Sequence, residues 1–79
     1  MELHIQYFAL LREQRGLDEE TLETDASTPT ELYEELCAKH AFTLPAENVR
    51  AAVNGEFVLA DATLHSGDTV VFIPPVAGG

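Results

Sequence analysis

Ser27-Thr28-Pro29-Thr30-Glu31 is a clear helix start in a chain whose other apolar stretches read as strands. Thr28 is placed to cap the helix. Pro29 takes the first helical position, where its missing N–H costs nothing, and Glu31 stands three residues after the cap to complete a capping box. Leu32, Tyr33, Leu36, Cys37 and His40 then fall on one stripe, with Glu31, Glu34, Glu35 and Lys39 largely outside it. A single amphipathic helix has one apolar side to bury. Its economical partner is a sheet, with the helix lying across one face.

The remaining segments supply the strands. Leu3-His4-Ile5-Gln6-Tyr7-Phe8 alternates with period two, so Leu3, Ile5 and Tyr7 share one face and His4, Gln6 and Phe8 the other. A short polar connection ending in Arg15-Gly16 leads to Glu20–Thr24, a weaker and very acidic strand suited to a sheet edge. After the helix, a loop containing Pro45 leads to Val49–Val53. Asn54-Gly55 is the strongest two-residue hairpin signal, because both residues tolerate positive φ, and Glu56–Leu59 is the returning strand. A Ser66-Gly67-Asp68 turn introduces Thr69–Ile73, apolar enough to be central and buried on both faces. With the first and last strands side by side at the centre, the expected fold is α+β: the β-grasp, or ubiquitin-like, arrangement of a mixed sheet and one principal helix.

Composition narrows the function. At 79 residues there is room for one domain, which buries only roughly 60% of its unfolded surface. A hydrophobic share of 46% is that of a folded chain and not a disordered one. Fourteen acidic residues against four basic ones leave a net charge of −10. Such a surface repels nucleic-acid phosphates. It suits steering towards basic partners, although charge alone favours plain solubility. No apolar run nears the roughly 20 residues of a membrane span, and no signal peptide is expected. Cys37, the lone cysteine, fits a reducing cytoplasmic setting.

Chemistry is sparse along the chain. His4, His40 and His65 lie far apart with no ligand spacing, so no metal site is expected. His40 suits a helix C-terminus, where a cation favours the dipole. No phosphate-binding glycine loop is encoded, so the chain alone is expected to bind no cofactor. Cys37 lies on the apolar stripe, which favours a packed, inert thiol over a nucleophile. The carboxylates occupy turns and an exposed helix face. No self-sufficient active site emerges, and the chain by itself is not expected to be an enzyme.

The sequence closes on PPVAGG. Pro74 and Pro75 fix φ and favour an extended path, so the segment leaves the last strand as a stiff arm. Val76 can anchor on a partner, and Ala77, Gly78 and Gly79 form a thread with almost no width, open to close approach. Residues 1–73 therefore read as the folded domain and residues 74–79 as a tail. The terminal carboxylate of Gly79 is its one reactive group.

Residues Ser66 to Gly79, above all Pro74-Pro75-Val76-Ala77-Gly78-Gly79, together with Phe8–Glu13 and Ala51–Asn54, resemble the small sulfur-carrying subunits of molybdopterin synthases. That family, the MoaD type, is related to the thiamine sulfur carrier and to ubiquitin, and the similarity spans the whole chain. The resemblance implies that a ubiquitin-activating-like adenylyltransferase uses ATP to adenylate Gly79. Sulfur from a sulfurtransferase or cysteine desulfurase then displaces AMP and leaves a thiocarboxylate. It further implies a large-subunit partner, in a complex of two small and two large subunits. That partner contributes the acid-base groups for sulfur transfer to a cyclic pyranopterin precursor, building the molybdopterin dithiolene of the molybdenum cofactor.

Strand parity points independently to a docking surface. If Leu3, Ile5 and Tyr7 face the helix, then Phe8, Val71 and Ile73 face away, and Phe57 joins them. An exposed apolar patch beside the departing tail fits a protein interface. Arg12 is equally suited to orienting the tail or a partner carboxylate and to plain solvent exposure. A carrier for thiamine synthesis or tRNA thiolation, a protein modifier joined to lysines through Gly79, and an interaction domain with an incidental tail remain alternatives.

Overall fold

The computed structural model describes residues 1–75; Val76, Ala77, Gly78 and Gly79 lie outside the described residues. The elements in chain order are β1 (Glu2–Tyr7), α1 (Ala9–Arg15), β2 (Glu19–Glu23), α2 (Pro29–Lys39), a 3-10 turn (Ala46–Asn48), β3 (Arg50–Val53), β4 (Glu56–Val58) and β5 (Thr69–Ile73). The strands form one sheet in the order β2-β1-β5-β3-β4. The central β1–β5 pair is parallel and the other pairs antiparallel, so the sheet is mixed and the acidic β2 is an edge. This is the β-grasp arrangement.

The core lies between the sheet and α2. Leu32, Tyr33 and Leu36 of the helix meet Leu3, Ile5 and Tyr7 of β1 and Val70 and Phe72 of β5, all buried. Burying each such side chain contributes about 1.5–3 kcal/mol, so these few residues supply much of what holds a chain this small. Phe42, half-buried, stacks on Tyr33 and meets the edge of Tyr7, with ring centroids 5.9 and 5.8 Å away. The Tyr33 hydroxyl donates to the Leu44 carbonyl at 2.8 Å and ties the loop after α2 to the helix.

Local signals act where expected, with one shift. Thr28 Oγ1 accepts from the Glu31 N–H at 3.2 Å, as a cap should. The Glu31 carboxylate, however, accepts from both the N–H and the hydroxyl of Ser27 at 2.8 Å, one residue further back than a standard capping box. Asn54 and Gly55 both adopt positive φ, 52° and 90°, as a type I′ turn requires. The Asn54 side chain also accepts from Thr69 N–H and donates to Asp68, fastening the hairpin to the start of β5.

Four expectations are corrected. The polar connection after β1 is the helix α1, closed by Gly16 in the left-handed region with its N–H on the Arg12 carbonyl. Its seven residues bury only Leu11, too few to write a stripe. Strand β5 is not buried on both faces: Val70 and Phe72 are covered, whereas Val71 and Ile73 are half-open, because α2 covers one side of the sheet only. Strand β1 stops at Tyr7, with Phe8 serving as the extended cap of α1. Strand β4 stops at Val58, leaving Leu59 beyond it and 77% exposed. Among the described residues no helix is long and apolar enough to cross a membrane.

Candidate functional site

The face of the sheet turned away from α2 is the candidate site. Strand pairing builds it row by row. Gln6, Val71, Ala52 and Phe57 stand side by side across β1, β5, β3 and β4, and Ile73 stands opposite Arg50 in the next row. Phe57 is 58% exposed and Phe8 51%. Exposed apolar side chains gathered into one contiguous surface fit a contact site. The Arg50 guanidinium lies 4.2 Å from the centroid of the Phe57 ring, in cation–π contact.

Of the four residues expected by parity, Val71, Ile73 and Phe57 lie on this face by strand pairing, and Phe8 lies beyond the end of β1. Val71 and Phe57 share a row, with Ala52 between them. Phe8 and Ile73 meet instead in an apolar groove of about 430 Å³, completed by Ala9, Leu10, Leu44, Pro74 and Pro75. Strand β5 runs out through this groove, with Pro74 half-buried and Pro75 exposed. Its lining has no ionisable side chain among the described residues. The groove can hold an extended chain or an apolar partner, but it has nothing with which to move a proton.

Leu10 and Leu44 in the groove, and Ala52 and Arg50 on the face, are not expected from the sequence. Leu10 depends on α1, which parity along β1 does not reveal. Ala52 and Arg50 were legible in principle, because the Asn54-Gly55 turn sets the register of β3 and alternation then puts both opposite Ala51.

A charged cluster fixes the wall of the groove. Arg15, at the end of α1, donates from Nε and Nη2 to the two oxygens of Glu20 on β2, at 2.7 and 2.9 Å. The Tyr7 hydroxyl donates to the same carboxylate at 2.6 Å. The Arg15 guanidinium holds the Glu20 carboxyl down at about 2, and the Tyr7 hydroxyl adds to that effect. Burial, then the hydrogen bond to Glu20, pushes the Tyr7 phenol up. A helix of seven residues has little stability of its own. Anchored through Arg15, α1 is held with Phe8 and Leu10 beside the exit of β5.

The other singled-out residues lie elsewhere. Arg12 forms a loose, exposed pair with Asp18 at 3.8 Å. His40 caps the C-terminus of α2, but burial and then the nearby Arg15 push its pKa down, which disfavours the expected cation. His4 contacts Glu19 at 3.0 Å and His65 lies near Asp68. Cys37 is half-buried on α2. Pro74 and Pro75 follow β5 and line the groove; Val76, Ala77, Gly78 and the Gly79 carboxylate fall outside the described residues.

A family model described as the ThiS family matches residues 5–79. The molybdopterin synthase sulfur carrier subunit of Haemophilus influenzae is 32% identical over 80 residues, covering 98% of this chain and 99% of that protein. The subunit of the same name from Escherichia coli is 35% identical with the same coverage. Among solved structures, a chain of the complex of subunits 1 and 2 of the molybdopterin-converting factor from Helicobacter pylori superposes with a TM-score of 0.69. It is 22% identical, with all of both chains covered, a likeness that speaks for the fold.

Proposed function

The chain belongs to the ThiS family, and from that premise we propose that it is a sulfur carrier: the small, non-catalytic subunit of a molybdopterin synthase. The observation that carries this reading is the end-to-end match to sulfur carrier subunits. The apolar face at the root of the tail supports it, because a carrier must dock before its terminus can react.

The chemistry assigned to the tail is as follows. The Gly79 carboxylate attacks the α-phosphorus of ATP in the active site of an adenylyltransferase, and pyrophosphate leaves. This step matters because a carboxylate is a poor electrophile, and adenylation supplies a leaving group. The outer sulfur of a persulfide on a sulfurtransferase or cysteine desulfurase adds to the acyl carbon and expels AMP. A thiol then attacks the donor's sulfur of the resulting acyl disulfide, leaving as a disulfide with the donor and releasing the thiocarboxylate. The product thiocarboxylate is ionised near neutral pH and carries a nucleophilic sulfur. Pro74 and Pro75 direct the tail outward, and Val76, Ala77 and Gly78 deliver Gly79 into the large subunit. There the sulfur passes to the pterin precursor to build the dithiolene. Acid-base groups come from the large subunit. The Helicobacter pylori complex of subunits 1 and 2 supports a large-subunit partner, with two copies of each subunit proposed. A reducing, cytoplasmic setting suits the unpaired Cys37.

The test is intact-protein mass spectrometry after incubation with ATP, the activating enzyme and a sulfur donor. The expected result is replacement of one oxygen by sulfur, located on Gly79. An unchanged mass, beside an activating enzyme shown to work on another carrier, overturns the reading. Adducts on partner lysines instead would make the chain a modifier.

A further inference from the structure

Four side chains in this protein are Lys or Arg, and three of them are paired within the described residues. Arg15 is locked to Glu20, Lys39 contacts Glu35 at 3.0 Å, and Arg12 lies by Asp18. Arg50 has no carboxylate in ion-pair contact among the described residues. In a chain of net charge −10, with acid on most of its surface, that isolation needs a reason.

Strand register supplies one. On the outer face, the β2–β1 half carries Glu2, Glu19 and Glu23, in line with His4 and Gln6. The outward positions of β5, β3 and β4 are Thr69, Val71, Ile73, Arg50, Ala52 and Phe57, with no carboxylate among them. Arg50 is therefore the one charge in an apolar field. It stands directly across from Ile73, the last strand residue before the tail, and its guanidinium rests on the exposed Phe57 ring. Stacking restrains the head group but uses its π-face, leaving the N–H edge free for a planar acceptor. Docking an apolar partner surface here would bury that charge, and a buried charge is costly unless it meets a counter-charge.

We propose that Arg50 sets the orientation of docking on the large synthase subunit by pairing with a carboxylate set in an otherwise apolar patch of that partner. The inference rests on the sulfur-carrier reading and deepens it: the apolar residues give area, and Arg50 gives register. Because Ile73 and Arg50 are paired neighbours, pinning Arg50 also fixes where β5 ends relative to the partner and so where the tail is aimed. Arg50 is a positioning residue and touches no reacting atom.

Calorimetric titration against the large subunit of the same organism tests this, using the full chain, Arg50→Glu, Arg50→Lys and Lys39→Glu. The two Glu variants make the chain equally more negative, and Lys39 lies on the helix side, away from the face. Arg50→Glu should weaken binding by roughly 30-fold or more, and Arg50→Lys by less. Lys39→Glu should stay within about 3-fold, as a charge outside the contact does. Changing the partner's carboxylates one at a time to Lys should then yield one that restores Arg50→Glu binding. If Arg50→Glu behaves as Lys39→Glu does, or if no partner carboxylate rescues it, the pairing is overturned while the carrier reading stands. If the unaltered chain does not bind the large subunit at all, the synthase-subunit reading fails and takes this proposal with it.

Discussion

Val70 and Val71 are consecutive residues of β5 with opposite surroundings. Val70 is completely buried beneath α2, in the same core as Leu36, and Phe72 repeats that position one step along. Val71 and Ile73 point to the other side, where no helix lies and the apolar surface is half-open. Along β5 the two sides are built from the same kinds of residue. What separates them is cover: one face is finished within the chain, and the other has the composition of a core without the second layer. The inner face holds the fold together, and the outer face, with the tail that leaves from it, is available to a partner.

The largest expected effect lies at the far end of the outer system. Removing Gly79, or adding one residue after it, should abolish sulfur transfer to the pterin precursor and leave the melting temperature unchanged. A matched drop in melting temperature would make the tail part of the fold and erase the distinction between holding and delivering. Transfer by a chain ending one residue later would instead show that the reacting group is not the Gly79 carboxylate.

The next effect separates the faces on a single strand. Phe72→Ala should cost about 3–5 kcal/mol, the usual loss for a buried aromatic. That is a large part of the roughly 5–15 kcal/mol that holds a domain together. Val71→Ala, one residue away, should cost about 1 kcal/mol or less, because half of that side chain already meets water. Urea midpoints for the two variants measure this directly. Equal losses would mean that the outer face is covered in the free chain.

Acid should act on the wall between the two systems. Glu20 titrates near 2 in the folded chain against an ordinary value of 4.5. Its lowered pKa therefore contributes stability above the ordinary value, and that contribution is lost as pH falls through the folded one. His40, pushed down by burial, adds to the loss on acidification at higher pH, since protonating it in the fold is unfavourable. Glu20→Gln should be less stable than the unaltered chain at neutral pH by on the order of 1–3 kcal/mol. The gap should close towards about pH 2, where the native carboxyl is itself protonated. Denaturation midpoints at a series of pH values give the answer, and a gap independent of pH would remove the ion pair as its cause.

How much of this was legible in the sequence follows from how local each signal is. The start of α2 is written in Thr28 and Pro29, the hairpin in Asn54-Gly55, and the parity of β1 in six consecutive residues; each survives into the structure. Helix α1 is not legible although Arg12, Arg15 and Gly16 are ordinary stop signals, because one buried Leu11 makes no periodicity. The Arg15–Glu20–Tyr7 cluster was not legible at all. Its members meet only once β1 and β2 are paired and α1 is folded back on them. Arg50 shows the same limit: its isolation is a property of three strands in register.

Phe57 gives the smallest effect on the fold and the sharpest separation of the two faces. It sits on the edge strand β4, 58% exposed, opposite Ala52 on the face turned away from α2. Phe57→Ala removes little buried area from the free chain, so its stability should stay within about 0.5 kcal/mol, as for most surface changes. The same truncation takes the ring from under Arg50 and removes apolar area from the row it shares with Val71. Binding to the large subunit should therefore weaken by about 10-fold, the range in which an interface aromatic counts as an anchor. Calorimetry beside thermal denaturation on one preparation reads both quantities. Unchanged stability with weakened binding is the signature of a surface whose burial is deferred until the partner arrives. Unchanged binding would move the contact to the groove formed by Phe8 and Ile73, leaving the β4 side of the face outside it.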